Sequence, residues 1–300
     1  MKVERAPFPL IWDSTMISTG RSCPYKLWRM YVEHWKPRAE SVDLVAGAAF
    51  ASGVEAARRA FFVDGLPAED AMALGLGELW RRYGSFVPPE GHAKTADRMA
   101  GALEFYFENY PLGADGTRPR LFGDRHGIEF SFAEPLPVFH PVTDEPLILA
   151  GRADMVAEAF GGVFLYDEKT TTQLGARWMN QWEMRSQFTA YCWGLRSHNI
   201  HPTGVVVRGV SILKHDYGTA QALTYRADWE VDRWLDQTCR DLERFKRMWL
   251  EGFWDQSLDH ACTEYSGCAF TRVCKSRDPE PWLSQGFTKR EWNPLTREEK

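Results

Sequence analysis

The chain has 300 residues, of which 44% are hydrophobic and 26% are charged, and its formal net charge is −5. This composition is that of a globular protein with a sizeable core, and the negative balance excludes a global attraction for polyanions, so that any nucleic-acid site must be a local basic surface. The sequence has no apolar run of about eighteen residues and no secretory signal at its N-terminus, so we expect a cytoplasmic protein with no membrane partner.

The first 38 residues divide into an extended entry and a basic window. Residues 1–20 are rich in Pro and weakly periodic, which predicts an extended segment, and a helix is predicted to open at Cys23. Five basic side chains around this helix face only Glu33 within the same window: Arg21, Lys26, Arg29, Lys36 and Arg38. The window is a candidate for the local basic surface.

A helical region is predicted from residue 43 to residue 112, because three amphipathic segments rich in Ala follow one another there. The periodicity then shortens, and strands are predicted at 127–136, 147–159, 161–170, 203–213 and 220–226. Helices are predicted at 176–196 and 228–250. In the first of them Glu183, Gln187 and Tyr191 recur at four-residue intervals, so they are predicted to share a helix face. This order indicates a mixed α/β core with an inserted helical region, within a single domain that covers residues 1–300.

The stretch from Gly151 to Thr170 predicts a hairpin that turns at Gly161-Gly162. Side chains alternate between the faces of a strand, so Asp167 and Lys169 point one way and Glu168 points the other. If Asp154 on the preceding strand lies nearby, two carboxylates and an ammonium converge. Hard oxygen donors of this kind suit Mg²⁺ or Mn²⁺, and the neighbouring amine suits the orientation of a water molecule.

The six cysteines separate into two classes by their spacing. Cys192 and Cys239 lie on helical apolar stripes and are predicted to be core thiols, and disulfides are disfavoured in a reducing compartment. Cys262, Cys268 and Cys274 recur at six-residue steps without an apolar stripe, so they are predicted metal ligands. Such a site needs a fourth ligand. Cys23 remains for that position, and the predicted ligand set is Cys23, Cys262, Cys268 and Cys274.

Three motifs occur in a fixed order: Asp154 in Gly-Arg-Ala-Asp, then Asp167-Glu168-Lys169, then Gln187 and Tyr191 in Gln-Phe-Thr-Ala-Tyr. Together with the cysteines they resemble the PD-(D/E)XK nuclease superfamily. The resemblance covers roughly residues 22–275. Within the superfamily, the residues resemble the RecB-like exonucleases with an iron–sulfur cluster, which include AddB nuclease domains, CRISPR-associated RecB-like exonucleases and phage recombination exonucleases.

This resemblance implies a restriction-endonuclease-like mixed sheet flanked by helices. It also implies a Mg²⁺- or Mn²⁺-dependent DNA exonuclease of recombination, repair or phage DNA processing, with a recombination or annealing protein as a possible partner. Asp154, Asp167 and the backbone carbonyl of Glu168 would hold the metal. Lys169 would position the attacking water, and Gln187 and Tyr191 would act beside the active site.

For the cysteines, the resemblance implies a [4Fe–4S] cluster, bound by residues 22–30 and 258–276, that staples the two ends of the chain together. Zinc is the alternative, although the two-residue spacing of zinc ribbons is absent. The family usually also has a metal-binding His on its early helix, and Ala51 stands at that place. Glu55, one turn later, and Glu129, in a predicted strand, are the candidate substitutes.

Two other functions stay open at this point. The missing His is compatible with a non-catalytic iron–sulfur subunit that binds DNA. A zinc-stapled scaffold without a nucleic-acid role is the third possibility.

Overall fold

The computed structural model describes residues 6–258, 260–263, 267–296 and 298–299. Part of the predicted cluster-binding segment 258–276 therefore lies outside the described residues. A π-helical turn covers Trp28–Val32, and the helices are α1 (Ser14–Ser22), α2 (Pro24–Leu27), α3 (Val42–Phe62), α4 (Ala68–Tyr83), α5 (Ala96–Asn109), α6 (Ala176–Asn180), α7 (Ser186–Arg196), α8 (Asp228–Glu251), α9 (His260–Thr263), α10 (Thr271–Lys275) and α11 (Glu280–Gly286).

The strands build one mixed sheet and three small two-stranded ones. The large sheet has the order β1-β7-β8-β9-β10, with β3 and β6 also paired to β7. The strands are β1 (Ile11–Asp13), β2 (Trp35–Pro37), β3 (Arg118–Pro119), β4 (Leu121–Phe122), β5 (Arg125–His126), β6 (Ile128–Phe139), β7 (Pro146–Ala159), β8 (Gly162–Thr171), β9 (Gly204–Ile212), β10 (Tyr217–Thr224), β11 (Phe287–Lys289), β12 (Trp292–Asn293) and β13 (Glu298–Glu299).

The chain divides into two compact units. The first consists of residues 1–39, 131–151 and 228–300, and the second of residues 40–130 and 152–227. The single nuclease domain over residues 1–300 stays a prediction. Among the described residues, no helix has the length and apolar character needed to cross a membrane.

The first unit contains both ends of the chain. Strand β2 pairs antiparallel with β11, and the ring of Trp12 stacks on Phe245 of α8 at 6.0 Å. The extended segment predicted for residues 1–20 is wrong over its last part, because Ser14–Ser22 form α1. Asp13 explains this start: its carboxylate accepts the N–H of Met16 at 2.8 Å and caps the helix.

The second unit contains the predicted helical region, the strands β8, β9 and β10, and the helices α6 and α7. The three predicted helices are confirmed as α3, α4 and α5, and their apolar faces enclose a core with Phe50, Leu103 and Val210. Strand β8 pairs antiparallel with β7 and parallel with β9, and β10 returns antiparallel along β9. All nine residues of β9 are buried, as in a strand that is covered on both faces.

The predicted hairpin between β7 and β8 is confirmed, but its turn lies one residue earlier than expected. Ala159 pairs with Gly162, so the two turn residues are Phe160 and Gly161. Both have positive φ, 51° and 76°, as a two-residue turn of the primed type requires. Phe160 adopts this conformation although it carries a side chain.

The single helix predicted for 176–196 is wrong, because residues 181–185 interrupt it between α6 and α7. The carbonyl of Trp182 accepts the guanidinium of Arg226 at 3.0 Å and the N–H of Arg185 at 3.2 Å, which replaces the regular helical bond. Glu183 therefore lies in the turn and does not share a helix face with Gln187 and Tyr191.

Helices α3 and α4 approach each other closely through two glycines. A Cβ on Gly75 would lie 2.7 Å from the carbonyl oxygen of Gly53 and 2.9 Å from the Cβ of Ala57. The Gly53 carbonyl oxygen belongs to the backbone of α3, so it can move only if α3 moves. Gly77, on the same helix, has nothing within 4 Å of the corresponding position.

We expect Gly75→Ala to lower the free energy of unfolding by about 1–3 kcal/mol, because the added methyl forces α3 and α4 apart. The matched variant Gly77→Ala should raise it by about 0.5–1 kcal/mol, because alanine loses less backbone entropy in a helix. Urea denaturation of both variants measures these changes. Equal effects of the two substitutions would contradict the close helix packing.

Candidate active site

The site begins with two aspartates on neighbouring strands. Met155 pairs with Tyr166 in the β7–β8 ladder, and this register puts Asp154 opposite Asp167. A carboxylate oxygen of Asp154 also accepts the backbone N–H of Glu168 at 3.1 Å. The predicted meeting of Asp154 with the Asp167-Glu168-Lys169 run therefore occurs in the structure.

Asp167 is almost completely enclosed, with 1% of its surface exposed. It forms an ion pair with Lys169, but its Oδ1 has no hydrogen-bond partner among the described residues. Burial raises the pKa of Asp167 to about 7; Lys169 works against this shift and Asp154 adds to it. A buried carboxylate with an unsatisfied oxygen next to a second carboxylate suits a hard divalent cation.

Lys169 connects the aspartates to the following helix. Burial alone would lower the pKa of Lys169, but Asp167 and Asp154 outweigh it, and the pKa lies above its usual value. Tyr191 on α7 is among the groups whose charge acts on Lys169. Gln187 donates its side-chain N–H to the hydroxyl of Tyr191 at 2.8 Å, so the predicted Gln and Tyr pair lies on one helix face beside the lysine.

Glu168 points to the opposite face of β8, as its place in the strand predicts. Its carboxylate accepts two hydrogen bonds from Arg58 of α3, one of them at 3.0 Å, and one from the hydroxyl of Tyr106 of α5 at 2.9 Å. Burial would raise the pKa of Glu168, but the charge and hydrogen bonds of Arg58 lower it. Glu168 is therefore ionised and held from two helices.

A second buried arginine extends this network. Arg208 of β9 donates to Asp115 at 2.8 Å, and its guanidinium lies over the rings of Tyr110 and Tyr166, 4.2 Å and 4.7 Å from their centroids. Neither arginine was predicted as a site residue from the sequence, although each interrupts an apolar pattern. Arg58 lies four residues after Val54 on the buried stripe of α3, and Arg208 lies in the middle of an otherwise apolar strand.

The two candidate substitutes for the missing His are each engaged with an arginine. Glu55 pairs with Arg59 one helical turn away at 2.8 Å, and Glu129 pairs with Arg152 at 2.6 Å. Glu129 also has a φ of 53°, in the left-handed region that a strand residue rarely adopts. Ala51 carries no donor atom.

The four predicted cysteine ligands all belong to the first unit. The pKa of Cys274 is raised to about 11 by burial and by three neighbouring thiols, those of Cys268, Cys23 and Cys262. The N–H of Cys268 bonds to the carbonyl of Cys262 at 3.0 Å, and Cys268 and Cys274 pack against Phe270. The three other thiols are therefore near enough to act on Cys274, and soft thiols of this kind are the ligands that zinc and iron–sulfur clusters use.

Across the described part of the chain, no group of three or more His, Cys, Asp or Glu side chains is already arranged to hold a metal ion. The cysteines and the two aspartates would therefore have to adjust their side chains around an ion.

The remaining cysteines, Cys192 and Cys239, differ in how deeply they are buried. Cys192 on α7 is buried, and burial raises its pKa to about 12, as befits a core thiol. Cys239 on α8 is only partly buried.

A family model described as "PD-(D/E)XK nuclease superfamily" matches residues 14–275. This range includes Asp154, Asp167, Lys169, Gln187 and Tyr191 together with the four predicted cysteine ligands. A comparison with curated proteins found no significant match.

Among solved structures, one described as "Putative exonuclease" from Eubacterium rectale matches with a TM-score of 0.52 at 12% identity, over 84% of this chain and 87% of that chain. At this identity the likeness shows the fold alone. A second structure, SSO0001, has 12% identity and a TM-score of 0.30 over 64% of this chain and 74% of that chain, which is too low to support an argument. The predicted mixed sheet flanked by helices, of the restriction-endonuclease-like kind, is confirmed.

We expect the burial of Asp167 to make the metal-free protein less stable as the pH rises. Its pKa of about 7 in the fold exceeds 3.8, so the folded protein keeps a proton between these values that the unfolded chain has lost. Stability therefore falls as the pH rises through this window. Asp167→Asn removes the titration, and its gain over the unsubstituted protein should grow from near zero at low pH to roughly 4 kcal/mol above neutrality.

Urea denaturation without divalent ions, at several pH values, measures this difference. The matched control is Asp64→Asn, because Asp64 is exposed in the same unit. A constant difference between Asp167→Asn and the unsubstituted protein across the pH range would show that Asp167 titrates normally.

Proposed function

Because the chain belongs to the PD-(D/E)XK nuclease superfamily, we propose that it is a Mg²⁺- or Mn²⁺-dependent deoxyribonuclease that removes nucleotides from DNA ends. One observation carries the metal dependence: the buried Asp167 has a raised pKa and an oxygen without a hydrogen-bond partner among the described residues, next to Asp154. A divalent cation would satisfy that oxygen and offset the repulsion between the two carboxylates.

Asp154, Asp167 and the backbone carbonyl of Glu168 would hold the metal. When bound, such a metal polarises the scissile phosphate and lowers the pKa of a coordinated water molecule. Arg58 and Tyr106 hold the side chain of Glu168, which fixes the backbone from which its carbonyl is presented.

Lys169 would orient the attacking water and offset the negative charge that develops on the phosphate. Its raised pKa keeps it protonated, which suits a role in charge stabilisation and water orientation and disfavours one as a general base. Tyr191, held by Gln187, lies beside Lys169 and would restrict its position or bind a phosphate oxygen.

Glu55 and Glu129 are the proposed sources of a third carboxylate ligand in place of the His that Ala51 replaces. Either would have to leave its arginine when the metal binds. The left-handed backbone of Glu129 favours it over Glu55, because strained residues persist where the surrounding structure holds them and often mark functional sites.

The cysteines Cys23, Cys262, Cys268 and Cys274 would bind a [4Fe–4S] cluster. The raised pKa of Cys274, caused by burial and by the other three thiols, supports a single shared site. The cluster would be structural and would join the N-terminal and C-terminal segments of one nuclease domain.

The proposed substrates are single-stranded or duplex DNA ends, in recombination, repair or phage DNA processing in the cytoplasm. A recombination or annealing protein would be the corresponding protein partner. Because binding would rest on backbone phosphates, it should tolerate sequence changes and weaken with salt.

The alternative is a non-catalytic iron–sulfur subunit that binds DNA. The observation that favours it is Ala51, which offers no ligand atom on α3. Digestion with Mn²⁺ separates the two functions, since a non-catalytic subunit would bind DNA and leave it intact.

We expect Lys169→Ala to reduce DNA digestion by about 10²–10³-fold, the range found when a charge-stabilising donor is removed from an active site. End-labelled single-stranded and duplex DNA with Mg²⁺ or Mn²⁺ provides the measurement. Lys214→Ala removes an exposed lysine from the same unit and should digest DNA at the unsubstituted rate. Equal rates for Lys169→Ala and Lys214→Ala would refute the catalytic role of Lys169.

We expect the protein purified without oxygen to be brown and to contain four iron atoms per chain, because four thiolates hold one such cluster. Cys268→Ser should lose this iron, whereas Cys239→Ser should keep it. Metal analysis of the three proteins gives the answer. A colourless protein with zinc in place of iron would refute the iron assignment.

A further inference from the structure

The basic window predicted from Arg21 to Arg38 forms contacts within the protein. Arg21 pairs with Asp241 at 2.6 Å, and Arg29 pairs with Glu33 at 2.5 Å and bonds to the hydroxyl of Tyr25. Lys36 is buried and lies over the ring of Tyr31 at 4.2 Å. With these charges engaged internally, the window is a poor candidate for a polyanion-binding surface.

A different basic surface lies in the first unit, where β6 passes along α8. A groove of about 480 Å³ opens there, with Pro137 and Val138 of β6 on one side. On the other side three arginines of α8 line it: Arg240, Arg244 and Arg247. We call this the α8 groove.

The arginines follow helical spacing, so their side chains project from one stripe of α8 into the groove. Arg240 and Arg247 are exposed. The acidic residue in the lining, Glu243, pairs with Lys246 at 2.7 Å. The α8 groove therefore has a positive local charge in a chain whose net charge is −5.

Arg244 gives an independent sign of a ligand. Its Nε is buried and has no hydrogen-bond partner among the described residues. A buried donor of this kind destabilises the fold as long as it stays unsatisfied. An anion in the groove would accept this hydrogen bond, and a guanidinium can offer a phosphate two donors at once.

We propose that the α8 groove binds the phosphodiester backbone of a DNA strand. The inference rests on the proposed nuclease function and adds a binding site for its substrate. Arg247 lies seven positions after Arg240, about 10 Å along α8, which corresponds to about three nucleotide steps of a stacked strand.

Phe139 favours a nucleic acid over an acidic protein segment. It lies on β6 two residues after Pro137 and therefore on the same face of the strand, with 48% of its surface exposed. Lys246 of α8 donates to its carbonyl at 3.3 Å, which ties this part of β6 to the helix. An exposed ring on the strand that lines the groove provides a stacking surface for a base, which an acidic peptide does not use.

The test measures binding without cleavage. A fluorescently labelled single-stranded oligonucleotide is titrated with the full-length protein in the absence of divalent ions, at several salt concentrations. Arg240→Gln/Arg247→Gln changes two exposed residues, and a triple variant adds Arg244→Gln. Arg81→Gln is the matched control, since Arg81 is an exposed helix arginine already paired with Glu78.

The double variant should reduce the slope of log affinity against log salt by about 1.4, and the triple variant by about 2. Affinity at low salt should fall at least tenfold in the triple variant and stay unchanged in Arg81→Gln. Because the two exposed positions leave the core intact, the double variant tests the proposal even if the triple variant unfolds.

The binding and digestion experiments distinguish an error in the α8 groove proposal from an error in the proposed nuclease function. If the double variant has the same affinity and salt slope as the unsubstituted protein, the α8 groove is not the site, whatever the Lys169→Ala digestion shows. The proposal is equally overturned if the unsubstituted protein does not bind the oligonucleotide, or if polyglutamate binds as tightly as DNA and depends on the same arginines. Absence of cleavage together with groove-dependent binding would refute only the nuclease.

Discussion

The structure of the second unit depends on two adjacent carboxylates that are both buried. Asp167 and Glu168 follow one another in β8 and face opposite sides of the sheet, with 1% and 7% of their surfaces exposed. A buried charge is costly unless a partner compensates it, and one cation cannot serve both faces. Glu168 is fully compensated by Arg58 and Tyr106. Asp167 has Lys169 but keeps an oxygen without a partner among the described residues, and this difference separates the structural carboxylate from the candidate metal ligand.

This asymmetry gives the helical region a function in the site. Arg58 comes from α3 and Tyr106 from α5, so the segment between residues 43 and 112 supplies both groups that hold Glu168. The position of α3 in turn depends on its close contact with α4 at Gly53 and Gly75. The packing of α3 on α4 therefore positions Arg58, and Arg58 positions Glu168. The backbone of the Asp167-Glu168-Lys169 run depends on both contacts. A change in the distance between α3 and α4 should therefore move Arg58 and, with it, Glu168.

The sequence was sufficient where the signal was local. Strand alternation predicted the faces of Asp167, Glu168 and Lys169, and helical spacing predicted the contact between Gln187 and Tyr191. Prediction from the sequence failed where the local structure depends on a contact with a residue remote in the chain. The break before α7 depends on Arg226, which takes the carbonyl of Trp182 from a position 44 residues away. Arg58 and Arg208 were not predicted as site residues, because their partners Glu168 and Asp115 are remote in sequence. The spacing of the cysteines indicated a candidate ligand set, and it did not distinguish an iron–sulfur cluster from zinc.

A count of charged residues in a sequence window fails for the same reason, because it leaves out partners that are remote in the chain. Counting residues between 21 and 38 gives five basic side chains against one acidic one, yet the partner of Arg21 is Asp241, 220 residues further on. Asp241 itself lies on α8, one residue after Arg240, so this helix presents opposite charges on different faces. One face neutralises the N-terminal segment, and the other presents Arg240, Arg244 and Arg247 to the groove. A linear count averages these faces to little net charge, whereas the helical period separates them. The local basic surface of this acidic protein therefore consists of arginines on a face of α8 that is separate from the face on which Asp241 pairs with Arg21.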